Sequence, residues 1–223
     1  MNQFSKEYNQ LLEAVISIFT ARKGRIEILL LRKKVDPYKG YWIIPGSMVG
    51  TNETIEDSIT NAVYEKTGIS SLYMEQCHIF SKLNRDPNVR IIASSFIGLI
   101  DSVTLELKCE DRDMFETRWF PITDLPKLAY DHENIINYSV NNLRNKIVST
   151  NILKSLFPSD FTLPEIQKVY EQILSRQFDR RNFRKKFINM NLIEETGDNT
   201  MGMAGRPAKL YRFKSDMKSS ILF

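Results

Sequence analysis

Apolar side chains recur along this chain in two rhythms. In the first part, short β-rich runs dominate. Ala14–Thr20 and Ile26–Arg32 are two of them, and the turn-forming Arg22-Lys23-Gly24-Arg25 between them predicts a hairpin. Tyr41–Pro45 is a further short extended piece that leads into Gly46. Thr54 then stands as a helix N-cap before Ile55, Ile59, Ala62 and Val63 at helical spacing, and Gly68 closes that helix. Val89–Ile100 is a long apolar run suited to a buried strand, and Glu116–Phe120 predicts a shorter one. Asn134–Lys146 predicts a helix with Ile135, Ile136, Val140 and Leu143 on one face. Strands interleaved with helices in this way predict an α/β sandwich on a mixed sheet.

The rhythm changes after about Ser149. Leu163–Leu174 is an amphipathic helix capped by Thr162, with Pro164 tolerated in its first turn. A break at Ser175–Phe178 leads to a second helix, Asp179–Asn189, again with a capping residue in front. Leu192–Thr196, a loop containing Gly197, Gly202 and Gly205, and a closing strand at Lys209–Phe213 complete the series. Helix, short turn, helix and two-stranded hairpin are the layout of a winged helix-turn-helix. The expected domains are residues 1–148 and 149–223.

Length agrees, since 223 residues suit two domains better than one. The net charge of +4 becomes informative when divided. Before residue 151 there are 18 basic and 19 acidic side chains; after it there are 13 and 8. The positive excess therefore lies in the last third, where it favours a polyanionic partner. Cys77 and Cys109 make neither a disulfide framework nor a metal cluster, and His78 and His132 are isolated, so no metal or cofactor is expected. Met1–Leu12 lacks the apolar core of a secretory signal, and no run approaches the ~20 apolar residues of a membrane span. A cytoplasmic protein without a membrane partner is the expectation.

Candidate chemistry concentrates in two places. In Asp179–Asn189, Arg180, Arg181, Arg184, Lys185 and Lys186 crowd one helix without an internal acid, while Phe183, Phe187 and Ile188 supply an apolar side. At the start of a recognition helix, Arg and Asn182 suit base edges, and the remaining Lys and Arg suit phosphates. Arg206 lies in the Gly-rich loop where a wing would run, with Lys209 just beyond it.

The second place is Pro45–Ile69, PGSMVGTNETIEDSITNAVYEKTGI, which resembles the Nudix box of enzymes that hydrolyse nucleoside diphosphates linked to other groups. With Glu53 as the first Glu of that pattern, its core falls on Asn61-Ala62-Val63-Tyr64-Glu65-Lys66-Thr67-Gly68-Ile69. The spacing matches and the chemistry does not. The family's helix needs carboxylates one turn apart to hold divalent metal against a pyrophosphate. Here Asn61 stands at the Arg position and Ala62 and Lys66 at two Glu positions, leaving Glu65 alone of three. At an effective dielectric of ~20, two unit charges ~4 Å apart interact by about 4 kcal/mol, so an ammonium beside the site is a strong argument against Mg²⁺. Two further pieces resemble one Nudix subgroup: Asn84-Arg85-Asp86-Pro87 followed by Arg90, and Leu128-Ala129-Tyr130-Asp131-His132-Glu133.

From about Ala14 to Phe213 the chain resembles the Nudix-related transcriptional regulators, with Gly205-Arg206-Pro207-Ala208-Lys209-Leu210-Tyr211-Arg212-Phe213 among the more specific motifs. The resemblance implies a Nudix-like α/β/α sandwich joined to a winged helix. It also implies a homodimeric repressor on a palindromic operator of double-stranded DNA. A small-molecule effector, either an ADP-ribose-type nucleotide or a sugar, would bind the former catalytic cleft. Arg32, Trp42, Arg85 and Arg90 are the expected effector contacts, with Trp42 also suited to the core. The alternative is an active Nudix hydrolase working through Glu53, Glu56 and Glu65 in an irregular arrangement.

Overall fold

A computed structural model of the chain describes residues 10–22, 24–101, 115–150, 152–157, 160–200 and 207–214. They form two compact units. One comprises Ile28–Leu99 with flanking segments that end at Phe19 and Ser139; the other comprises Val140–Phe223 with Thr20–Glu27.

The first unit is built on strands β1 (Leu11–Arg22), β2 (Arg25–Lys33), β3 (Trp42–Ile43), β4 (Gly46–Met48), β5 (Tyr73–Phe80), β6 (Ile91–Leu99) and β7 (Phe115–Pro121). The order β3-β2-β1-β6-β5, with β4 on β1 and β7 on β2, makes one sheet. It is mixed, as expected: β1 runs parallel to β6, while β5 is antiparallel to β6 and β4 to β1. The central pair is buried on both faces, from Ala14 to Phe19 in β1 and from Ala93 to Leu99 in β6, with Ser17, Ser94 and Ser95 among otherwise apolar residues, the pattern of a doubly covered parallel pair. Gly46 sits where β4 crosses β1. A Cβ there would lie 2.7 Å from the Ala14 carbonyl oxygen, so only glycine permits the approach.

The box helix, α1 (Ile55–Thr67), starts and stops where the sequence places its signals. Thr54 accepts from the Asp57 N–H while the Asp57 side chain reaches back, and Gly68 ends the helix in the left-handed region at φ 76°. Helix α2 (His132–Ser149) is longer than its apolar stripe predicts. Ser139 and Val140 fall on opposite sides of the division into units, so α2 contributes to both.

Strands β4 and β5 are absent from the sequence reading. β4 is three residues long. β5 lies at the sheet edge and a bulge between Gln76 and His78 breaks its alternation, so Tyr73 and Ile79 stay exposed.

The second unit contains α3 (Leu163–Leu174), α4 (Arg180–Asn189) and a hairpin of β8 (Ile193–Asn199) and β9 (Lys209–Phe213). Phe161 adds a third short rung, exchanging both backbone hydrogen bonds with Tyr211 at 2.8 Å. Thr162 and Glu165 form a capping box on α3, and Asp179 caps α4 by accepting from the Arg181 and Asn182 N–H groups. Ile166, Val169, Tyr170 and Ile173 of α3 are buried, and Tyr170 meets Phe183 and Phe187 of α4 at 5.7 Å.

Candidate functional site

The second unit presents its basic residues outward. Phe183 and Phe187, one helical turn apart, are the buried residues of α4, and their rings stack at 5.3 Å. That fixes the rotation of the helix about its axis. Arg180, Arg181, Asn182, Arg184, Lys185 and Lys186 are consequently all exposed. Ile188 was expected on the apolar side, yet it is 41% exposed, because one residue past Phe187 turns it ~100° off the buried line.

Arg180 and Arg184 line a groove of about 560 Å³ together with Leu163 and Pro164 of α3 and with Asn199, Pro207, Ala208, Lys209 and Tyr211. The recognition helix and the wing thus share a cationic concavity, the form that suits a phosphate backbone. Lys209, expected among the DNA contacts, lines this groove and is exposed. Its ammonium lies 2.8 Å from the Glu195 carboxylate on the facing strand, which raises its pKa and to which Tyr211 also donates. Arg206 lies outside the described residues.

In the first unit, the structure brings Arg32 and Trp42 together and places Arg85 and Arg90 in other settings. Arg32 and Trp42 are register partners on β2 and β3. Arg32 pairs with Glu116 at 3.4 Å, and its guanidinium carbon is 6.0 Å from the Trp42 ring centre. Arg118 lies over the same ring at 5.6 Å, and Phe120 meets it edge-on. Trp42 itself is only 7% exposed, so the core role is the one the structure gives it.

Arg85 was expected to face a ligand, but its side chain is 3% exposed. It donates to both oxygens of Asp131, at 3.1 and 2.9 Å, and to Glu13 at 2.8 Å. Its charge is already balanced by two carboxylates, so Arg85 braces the fold. It thereby joins the two motifs quoted above, Arg85-Asp86 and Asp131-His132. The adjoining cavity is about 80 Å³, room for only a few waters. Arg90 is half-buried and donates to the Lys82 carbonyl at 3.0 Å.

A further aromatic and cationic cluster, which sequence reasoning missed, lies in the same unit. Tyr38, Tyr41 and Tyr130 form an aromatic cluster, with ring centres 5.6 and 4.6 Å apart. Lys33 donates to the Tyr130 hydroxyl at 3.1 Å, and Lys127 lies over the Tyr41 ring at 4.5 Å. Tyr38 and Tyr130 both take positive φ, 65° and 55°, a conformation uncommon for aromatic residues and concentrated at functional positions. Only a tertiary arrangement collects these residues, because they come from the end of β2, the loop before β3 and the approach to α2.

The box does not fit a divalent cation. Ala62 is buried and offers no ligand, Glu53 is turned back to accept from the Gly50 N–H at 2.7 Å, and Asn61 and Glu65 are exposed. Lys66 donates to the Gly46 carbonyl. Burial holds its ammonium below the usual lysine range, against the pull of Glu13 and Glu65. Burial likewise raises the Glu13 carboxyl, opposed by Arg85. Among the described residues, no group of three or more His, Cys, Asp or Glu is placed to hold a metal ion.

Comparison with known proteins follows the same division. The NUDIX domain model matches residues 11–138, and the NrtR DNA-binding winged helix domain model matches residues 153–213. The ADPR responsive transcriptional repressor NtrR of Acinetobacter baylyi is 32% identical over 89% of this chain and 80% of its own length. The ADP-ribose pyrophosphatase of Methanocaldococcus jannaschii is 34% identical over 59% of this chain and 76% of its own length. Among solved structures, Shewanella oneidensis NrtR complexed with a 27mer DNA superposes with a TM-score of 0.77, at 25% identity, covering 91% of this chain and 93% of that one. Among the described residues, no helix is long and apolar enough to cross a membrane.

Proposed function

From the premise that this chain belongs to the Nudix-related transcriptional regulators, we propose that its Nudix unit senses ADP-ribose without hydrolysing it, and that this ligand governs a repressor. DNA binding is the function of the winged helix, and the six exposed polar and basic residues of α4 are its reading surface. Two relatives support the choice of effector. One, matching 89% of this chain, is named for a response to ADP-ribose, and the other, matching 59% of it, is named as an ADP-ribose pyrophosphatase. The aromatic and cationic set of Tyr38, Tyr41, Tyr130 and Lys33, all half-buried, with the exposed Lys127, suits a ligand with a flat base and a diphosphate.

The single observation that carries the non-hydrolytic reading is the box itself: a methyl at Ala62 and an ammonium at Lys66 where the enzyme pattern has carboxylates. A protein on a palindromic operator must present two recognition helices about one DNA turn apart, which calls for a dimer. Effector binding represses or releases only to the extent that ADP-ribose prefers one arrangement of that dimer.

The test is selection of random duplex DNA by the full chain, followed by gel shifts on the selected sequence with and without ADP-ribose. An inverted repeat should be enriched, and ADP-ribose recovered intact should weaken the complex where ribose 5-phosphate does not. Absence of enrichment would remove the DNA reading. Release by a sugar alone would replace the effector, and Mg²⁺-dependent conversion of ADP-ribose to AMP would restore the hydrolase alternative.

A further inference from the structure

The Nudix unit carries a built-in positive charge where its family's box holds metal-binding carboxylates. Lys66 lies in the last turn of α1, four residues after Ala62, so both side chains leave the helix on the same side. The ammonium donates to the Gly46 carbonyl and lies 5.4 Å from the centre of the Phe115 ring. Its anchor is rigid, because Gly46 is pressed against the backbone of β1. Glu13 and Glu65 both act on it electrostatically, and Glu13 is held in turn by Arg85 at 2.8 Å. A carbonyl, two carboxylates and a ring face are the surroundings that would stabilise a cation. An ammonium meets them already, and a divalent ion brought there would face like charge.

We propose that the Lys66 ammonium takes the place of the divalent cation, so that the cleft binds a nucleotide diphosphate directly through Lys66 with no requirement for metal. The proposal rests on the ADP-ribose reading for its ligand, but its statement about metal stands apart from that reading. A lysine on a four-carbon stem supplies one charge and three donors, enough to orient a diphosphate oxygen.

Two measurements on the full chain test it. Calorimetric titration with ADP-ribose should return the same affinity in excess EDTA and in excess MgCl₂. Lys66→Met should bind at least about tenfold more weakly in both media, while Lys66→Arg retains binding. An affinity of the unaltered chain that drops about tenfold in EDTA, or unaltered binding by Lys66→Met, overturns the proposal. The second measurement needs no nucleotide. Water-proton relaxation during a Mn²⁺ titration should show no saturable site in the unaltered chain, and should show one after Ala62→Glu together with Lys66→Glu. A saturable Mn²⁺ site in the unaltered chain that Glu65→Gln removes also overturns it. If ADP-ribose fails to bind in either medium, the effector reading falls and the Mn²⁺ titration still decides the role of Lys66.

Discussion

Nδ1 of His132 accepts a hydrogen bond from the Ile44 backbone N–H at 3.1 Å, so that nitrogen must be unprotonated in the fold. Burial, with Arg85 and Lys33 adding to it, lowers the pKa from 6.5 to about 3. An unfolded chain takes up this proton as pH falls through 6.5, whereas the folded chain resists until about 3. The contribution of His132 to stability is therefore complete above the higher value and lost as pH falls towards the lower one, at about 1.4 kcal/mol per pH unit. His132→Gln keeps an acceptor and removes the titration. Urea midpoints measured across that window should depend less steeply on pH in the variant, and parallel curves would deny His132 the role. The same residue shows how far sequence reaches at this scale. Its neighbourhood motif was legible, but its partner is a backbone amide 88 positions away, and no local pattern announces that contact.

At the scale of elements, helix α4 is oriented by two side chains. Phe187 is fully buried against Phe183, Tyr170 and Phe213. Phe187→Ala should cost about 3–5 kcal/mol in denaturant unfolding, while Ile188→Ala next to it should stay within about 0.5 kcal/mol. Equal effects would mean that the helix is rotated from the orientation described. Helix α3 is secured differently. The Gln172 amide accepts from the Ile26 N–H at 2.9 Å and donates to the Gly24 carbonyl at 3.1 Å, and Arg144 donates to the Ile173 carbonyl at 2.6 Å. The hairpin tip thus serves the second unit, although it interrupts the first in sequence. Gly24 takes φ 71° there, and a Cβ would press on the Lys168 side chain. Gly24→Ala should lower stability by about 1 kcal/mol or more, read as a shift in the urea midpoint. An unchanged midpoint would mean the tip is not held as described.

For the whole molecule, charge distribution is the feature that reaches furthest. The basic excess after residue 150 is exposed on α4, where it can displace counterions from DNA. Lys185→Ala should reduce the slope of log affinity against log salt by about 0.9 if it contacts one phosphate, with similar loss on any duplex. Arg181→Ala should instead lower affinity for the selected sequence by about 1–3 kcal/mol and leave non-specific binding nearly unchanged, as a base contact would. Fluorescence anisotropy over a range of salt separates the two, and identical behaviour of both variants would leave no base reader among them.

What the sequence determined by itself is what depends on neighbours along the chain. Caps at Thr54, Thr162 and Asp179, the stop at Gly68, the spans of α3 and β9, and the loss of carboxylates at Ala62 and Lys66 are all local facts, set by hydrogen bonds and chemistry within a few residues. Only the tertiary structure decided which charges are spent and which remain available. Arg85 is consumed by Glu13 and Asp131, while Tyr38 and Tyr41, from the loop between β2 and β3, meet Tyr130 from the approach to α2. The physical reason is that electrostatic pairing and burial depend on distance in space. An arginine reads the same in sequence whether it meets solvent or two buried carboxylates.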